Sequence, residues 1–238
     1  DGDRVDVERL PEEVSAEPGI KGGYMLKIDR ADPGDNGFSA AGQQLRYVYP
    51  KEENVTVAQS AWIQGYMRDF GDALNGPAFT DPLLGYEQYI DVEAFIDHHL
   101  LNVLSLNADA LRLSTYMFKP RGERLQMGPI WDFDRSMGST DGRDENPRSW
   151  VGGTNYFSYP WWGRLFDDEN FWQRYIDRYF ELRQGAFSTA NINDVIDGFA
   201  EELSEAQVRN FQRWSAVRPR FGGYLGEVNH LKDWLQDR

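Results

Sequence analysis

The chain of 238 residues contains no cysteine. Disulfides, thiolate metal sites and cysteine nucleophiles are therefore excluded. The absence fits a cytosolic protein and a bacterial exported one equally. No apolar run approaches the roughly 18 residues of a membrane span. Basic residues are outnumbered: 25 Lys and Arg stand against 39 Asp and Glu, a formal charge of -14. Such a surface repels nucleic acid and anionic membranes, so neither is expected as a partner. Internal repeats are missing, and so is a signal peptide. The chain begins at Asp1 rather than Met, from which we expect an upstream segment. What is present is apolar and aromatic: 40% hydrophobic and 14% aromatic residues supply a core.

Periodicity divides the chain. Residues 1–22 carry Pro11, Pro18 and several acids and read as an irregular lead-in. Gly22–Arg30 alternates apolar and polar from Tyr24, a strand pattern, and Leu45–Pro50 is a second strand. The Gly-, Asp- and Asn-rich Ala31–Gln44 between them reads as one long hairpin loop. From Thr56 the spacing turns helical and stops at "NGP", Asn75–Pro77. A second helix starts at the N-cap candidate Asp91 and fades near Asn107. Ser114–Pro120 and Arg124–Ile130 form a predicted hairpin. Ser136–Pro160 is a long loop of turn formers, a length that points to function or mobility. Three helical segments follow: 168–185 with an aromatic stripe from Phe171 to Tyr179, 188–214 as one helix or a broken pair, and 226–238. The layout is α+β.

"GPIWDFDRSMG", Gly128–Gly138, sets Asp132 and Asp134 one residue apart among large apolar side chains, a local pattern that reads as interior. On a continuing strand the two would point to opposite faces. At a strand end they can converge on one ion. A buried carboxylate needs a partner, and a divalent cation supplies one. Oxygen ligands without His or Cys suit Mg²⁺, Mn²⁺ or Ca²⁺. The plain alternative is that Asp132 caps a turn and Asp134 pairs with an arginine. Upstream, "SLNADAL" places Asn107 and Asp109 in the turn after the second helix, adjacent in sequence to the hairpin. A helix-end Asp and a strand-end Asp separated by a hairpin are how phosphoryl-transfer enzymes arrange a catalytic and a metal-holding carboxylate.

"GPIWDFDRSMG", "NVLSLNADAL" with "STYMFKP", "GGYMLKIDRADPGDNGF", "LSEAQVRNFQRW" and "GEVNHLKDWL" together resemble, in order, the CotH kinase family, the spore-coat-protein-H-like atypical protein kinases. The resemblance implies a divergent protein-kinase-like fold and ATP- and Mg²⁺-dependent phosphorylation of Ser/Thr on a protein, here an exported or surface one. It implies Asp109 as the catalytic aspartate, Asn107 as its neighbour or a phosphate contact, Asp132 as the metal-binding aspartate, and Asp134 as a further ligand or support. It also implies a division into residues 1–55, a remnant of the β-rich N-terminal lobe, and residues 56–238, the helical C-terminal lobe. Ser114 stands where many members carry a second metal-ligating Asn. The ATP-contacting Lys and phosphate-covering strands of the family lie upstream of Gly22. This chain alone is therefore expected to be inactive or very weak. Two rivals remain: a scaffold module that has kept the fold, and a D-x-D glycosyltransferase, for which βαβ units are lacking.

Other residues read as structural first. His98 and His99 are expected to pack within the second helix, Trp131 to pack in the core, and Trp161–Trp162 to anchor the long loop onto the helical end of the chain. Arg164 is expected to pair with an acid. "DGRDEN", Asp141–Asn146, reads as a solvated loop and lacks the spacing of an EF-hand.

Overall fold

The computed structural model describes residues 15–139, 142–151 and 153–238. The chain forms two compact units. The first comprises residues up to Asn102, Asp109–Phe133 and Thr154–Arg174; the second comprises Val103–Ala108, Asp134–Gly153 and Tyr175–Arg238.

The first unit is built on one antiparallel sheet, β1 (Tyr24–Ile28), β2 (Gly37–Ala40), β3 (Gln43–Tyr49), β4 (Thr115–Lys119) and β5 (Gln126–Met127), in the order β2-β3-β1-β4-β5. The two early strands pair as the alternation predicts. The loop expected between them holds a strand instead: Phe38 and Ala40 of β2 turn inward opposite β3. Its short "GFSA" alternation is masked by the turn formers around it. The predicted β4–β5 hairpin joins the same sheet through β1, with Lys27 opposite Tyr116 and Met25 opposite Phe118. Alternation gives the sheet a buried face, including Tyr24, Leu26, Leu45 and Met117, and a half-exposed face.

Helix α1 (Val57–Asn75) starts at a capping box. The Thr56 hydroxyl accepts from the Gln59 amide, and the Gln59 side chain accepts from the Thr56 amide. Its buried stripe, Ile63, Met67, Phe70 and Leu74, follows helical spacing. Gly71 lets the helix approach the β2–β3 turn, since a Cβ there would lie 2.8 Å from the Ala41 Cα. Helix α2 (Val92–Ser105) is capped by Asp91, whose carboxylate accepts from the Ala94 amide.

The long loop ends in a short helix, α3 (Trp162–Phe166), which the sequence reading did not anticipate. Trp161 and Trp162 do anchor it, but onto elements early in the chain: the Trp161 indole donates to the Ala41 carbonyl at 2.6 Å, and Trp162 packs on Phe95. Arg164 pairs with Asp167 at 3.3 Å, as expected, and also stacks on Phe79.

His98 and His99 are both buried. His99 sits among Tyr156, Phe157, Trp162 and Phe166 and meets the Tyr156 carbonyl at 3.0 Å. Burial pushes His98 down to about 4 and His99 to about 3. Both fold neutral, and the unfolded chain binds the protons. Stability from these groups is complete above about pH 6.5 and is lost as pH falls towards the folded values. We predict that the unfolding free energy from urea titrations falls from pH 6.5 to pH 4.5, by up to about 1.4 kcal/mol per pH unit for each histidine. In the His99→Phe variant the pH slope should be shallower; an unchanged slope contradicts the assignment.

Helix α4 (Glu169–Gln184) runs from the first unit into the second. Phe171 and Tyr175 are buried, whereas Tyr179 at the end of the expected stripe is exposed. The second unit continues with α5 (Thr189–Glu202), α6 (Ala206–Arg213) and α7 (Tyr224–Asp237), the broken-pair alternative for 188–214. α5 and α7 are tied by the Tyr224 hydroxyl to the Ala200 carbonyl at 2.9 Å and by Lys232 to Asp197 at 2.5 Å.

Candidate functional site

The hairpin β4–β5 ends at Met127, so "WDFD" is irregular chain rather than strand. The opposite-faces reading does not apply. The interior reading is also overturned: Asp132 and Asp134 are exposed, and Ile130 and Trp131 are 55% and 58% exposed. Trp131 is therefore not a core residue. Its ring meets Tyr116 edge-on, with centroids 6.2 Å apart.

In the first unit, Asp132 accepts a hydrogen bond from the Ser114 hydroxyl at 3.2 Å. Beside it lies the half-exposed face of the sheet, with Tyr116 and Phe118 on β4 opposite Lys27 and Met25 on β1. Burial raises Tyr116 above the ordinary tyrosine range; Lys27 opposes this, and Asp29 and Asp132 add to it. Burial also pulls the Lys27 ammonium down, but the Asp35 carboxylate 3.2 Å away more than offsets that and leaves Lys27 raised.

Asp109 lies in the turn between α2 and β4. Its carbonyl accepts from the Leu113 amide at 3.1 Å, and its half-buried carboxylate pairs with Arg112 at 2.6 Å. The turn is closed by the Leu111 amide donating to the Thr115 hydroxyl at 3.1 Å. A short chain of contacts thus joins the Asp109 turn, through Leu113 and Ser114, to Asp132.

The other two predicted residues belong to the second unit. Asn107 is buried, in a segment stitched by the Ala108 amide to the Arg135 carbonyl and by the Met137 amide to the Ser105 carbonyl, both at 2.9 Å. The Arg238 guanidinium holds the same segment by donating to the Val103 and Leu104 carbonyls at the end of α2. Asp134 sits in an exposed turn and makes no hydrogen bond or ion pair with a described residue. Gly138 takes φ +78° where a Cβ would lie 2.9 Å from the Trp234 ring. In "DGRDEN", Asp141 lies outside the described residues. Asp144 is not solvated as expected: it is fully buried, and its Oδ2 accepts from the Ser139 amide at 2.7 Å.

Backbone strain concentrates in these segments. Of the seven described non-glycine residues with positive φ, Leu106, Leu111, Ser114 and Met137 lie near the predicted acids, and Asp132 is one of those acids. Left-handed backbone in such residues is costly and persists where the surroundings enforce it, often at functional sites. Among the described residues, no three His, Asp or Glu side chains gather as a metal-holding group. The donor set still suits Mg²⁺, which takes one or two carboxylates and completes its shell with substrate phosphates and water.

Sequence reasoning missed Lys27, Arg112 and Tyr116. Arg112 was legible as a cation three residues after Asp109. Lys27 and Tyr116 were legible as the outward positions of two alternating strands, but only their pairing sets them side by side.

The described residues hold seven α-helices and one five-stranded antiparallel sheet, the α+β make-up of a kinase-like protein. The chain belongs to the CotH kinase protein family, whose model matches residues 5–238. No curated protein and no solved structure matches the chain.

Proposed function

We propose that the protein transfers the γ-phosphoryl group of ATP to a Ser or Thr hydroxyl of a protein. The observation that carries this reading is Asp132, bonded to Ser114 at the foot of β4 beside the Tyr116 and Trp131 rings, with Asp109 in the turn that leads into the same strand. Asp132 would hold Mg²⁺, or Mn²⁺, whose charge would offset that of the triphosphate. Tyr116, Trp131 and Phe118 offer the purine a flat apolar surface. Asp109 would accept the proton of the acceptor hydroxyl as its oxygen bonds to the γ-phosphorus; the bond from that phosphorus to the β–γ bridging oxygen breaks, and ADP leaves. Arg112 holds the Asp109 carboxylate in place. Asn107 and Asp134 keep the roles that the family resemblance gives them, as does the reading of residues 1–55 as N-lobe remnant and 56–238 as C-lobe.

The 238 residues alone should transfer phosphate weakly. Lys27 is engaged by Asp35 and Arg112 by Asp109, so these two cations are already committed. Among the described residues the antiparallel sheet offers no βαβ crevice for a nucleotide sugar, which disfavours glycosyl transfer. The test incubates the protein with radiolabelled ATP and Mg²⁺ and follows label into protein. We expect acid-stable label on Ser or Thr that is lost with EDTA. No label with any protein acceptor, while Mg²⁺-ATP leaves the melting temperature unchanged, would favour the scaffold reading.

A further inference from the structure

Residues 206–226 of this acidic chain contain four arginines, Arg209, Arg213, Arg218 and Arg220, and no Asp or Glu; of the flanking acids, Glu205 pairs with Arg209 and the Glu227 carboxylate accepts from the Arg220 and Phe221 amides. They form α6 and the turn after it, within the second unit. Large apolar side chains are interleaved with them and face water: Val208, Trp214, Val217 and Phe221 are 47%, 56%, 62% and 42% exposed. Clustered exposed apolar side chains mark interaction sites, and these four fall within one short segment.

Arg209 pairs with Glu205. Arg213, Arg218 and Arg220 have no ion pair with a described residue, although acids outnumber bases 39 to 25. Their guanidinium groups rest on neighbouring rings or backbone. Arg213 lies 4.7 Å from the Trp214 ring centroid and Arg220 5.1 Å from that of Phe221. Arg220 also donates to the Gly138 carbonyl at 2.9 Å, and Arg218 to the Ser215 carbonyl at 3.0 Å. The Val217 amide donates to the Trp214 carbonyl at 2.9 Å, which folds the Trp214–Arg218 turn into a compact knob.

We infer that this surface binds an acidic segment of a partner protein in which carboxylates alternate with apolar side chains. Arg forks pair with carboxylates bidentately, and Trp and Arg dominate the energetics of protein interfaces. Charge complementarity selects an acidic partner, because guanidinium groups with no ion pair to a described residue stand beside the apolar anchors. A lipid surface fits less well. Interfacial helices separate a cationic face from an apolar one, whereas here Arg213 stacks on the ring it accompanies. The inference is independent of the kinase reading.

The probe is a fluorescein-labelled peptide alternating Glu and Leu, with a Gln-for-Glu analogue as control, followed by fluorescence anisotropy. We expect saturable, salt-sensitive binding of the Glu peptide and at least about tenfold weaker binding of the analogue. The doubly substituted Arg213→Glu, Arg218→Glu protein should bind at least about tenfold more weakly, with its circular dichroism unchanged, because both side chains are exposed. Trp214→Ala should weaken binding without altering the salt slope. Equal binding of both peptides, undiminished binding by the double variant, or patch-dependent binding of phosphatidylserine vesicles in place of the Glu peptide would each overturn the inference. So would self-association that the double variant abolishes while the Glu peptide fails to bind.

Discussion

Asp132→Ala is expected to lower the proposed phosphoryl transfer by at least about a thousandfold, because a divalent cation held there would supply several kcal/mol of the barrier reduction. The backbone at this position has φ +61°, which Ala tolerates less well than Asp. A loss in Asp132→Ala alone could therefore reflect a disturbed turn. Asp132→Asn separates the two effects. Asn keeps the shape, accepts left-handed backbone and still accepts from the Ser114 hydroxyl, but carries no charge. We expect Asp132→Asn to keep the wild-type melting temperature within about a degree, since exposed substitutions cost little, and to lose nearly as much activity as Asp132→Ala. An active Asp132→Asn protein would remove Asp132 from the metal role.

Trp162→Ala costs about 3–5 kcal/mol of folding free energy. Trp162 is 2% exposed and packs on Phe95, His99 and Phe166, with ring centroids 5.7, 4.5 and 6.5 Å away. Deleting the indole leaves a cavity walled by rigid rings that cannot collapse into it. A loss of that size is a large share of the stability of an ordinary domain, so the variant should show a sharply lower urea midpoint or fail to accumulate folded. Trp162→Phe retains part of the ring contact and should cost less. A midpoint unchanged in Trp162→Ala would mean that the cluster is not what holds α3 in place.

The strands Tyr24–Ile28 and Thr115–Lys119 were legible because a half-exposed sheet imposes alternation, and α1 and α2 because their caps and apolar spacing agree. β2 was not legible, since four residues among turn formers carry too little pattern. Trp131 misled for a different reason. Hydrophobicity marks a tendency to be buried, but a ring can also line an exposed surface, and nothing local distinguishes the two. The same holds in reverse for Asp144, whose polar neighbours suggested solvent while its carboxylate folds under the backbone it binds.

By itself the sequence determined the α+β class, the kinase family and the identity of the acids around which a site is proposed, because those rest on local periodicity and on motifs contiguous in the chain. Only the tertiary structure decided that Lys27 stands opposite Tyr116, that Asp132 takes the Ser114 hydroxyl, that Arg112 holds Asp109, and that Trp131 faces water. Register and burial arise from pairing between segments distant in sequence, and no short stretch of side chains records which partner it will meet.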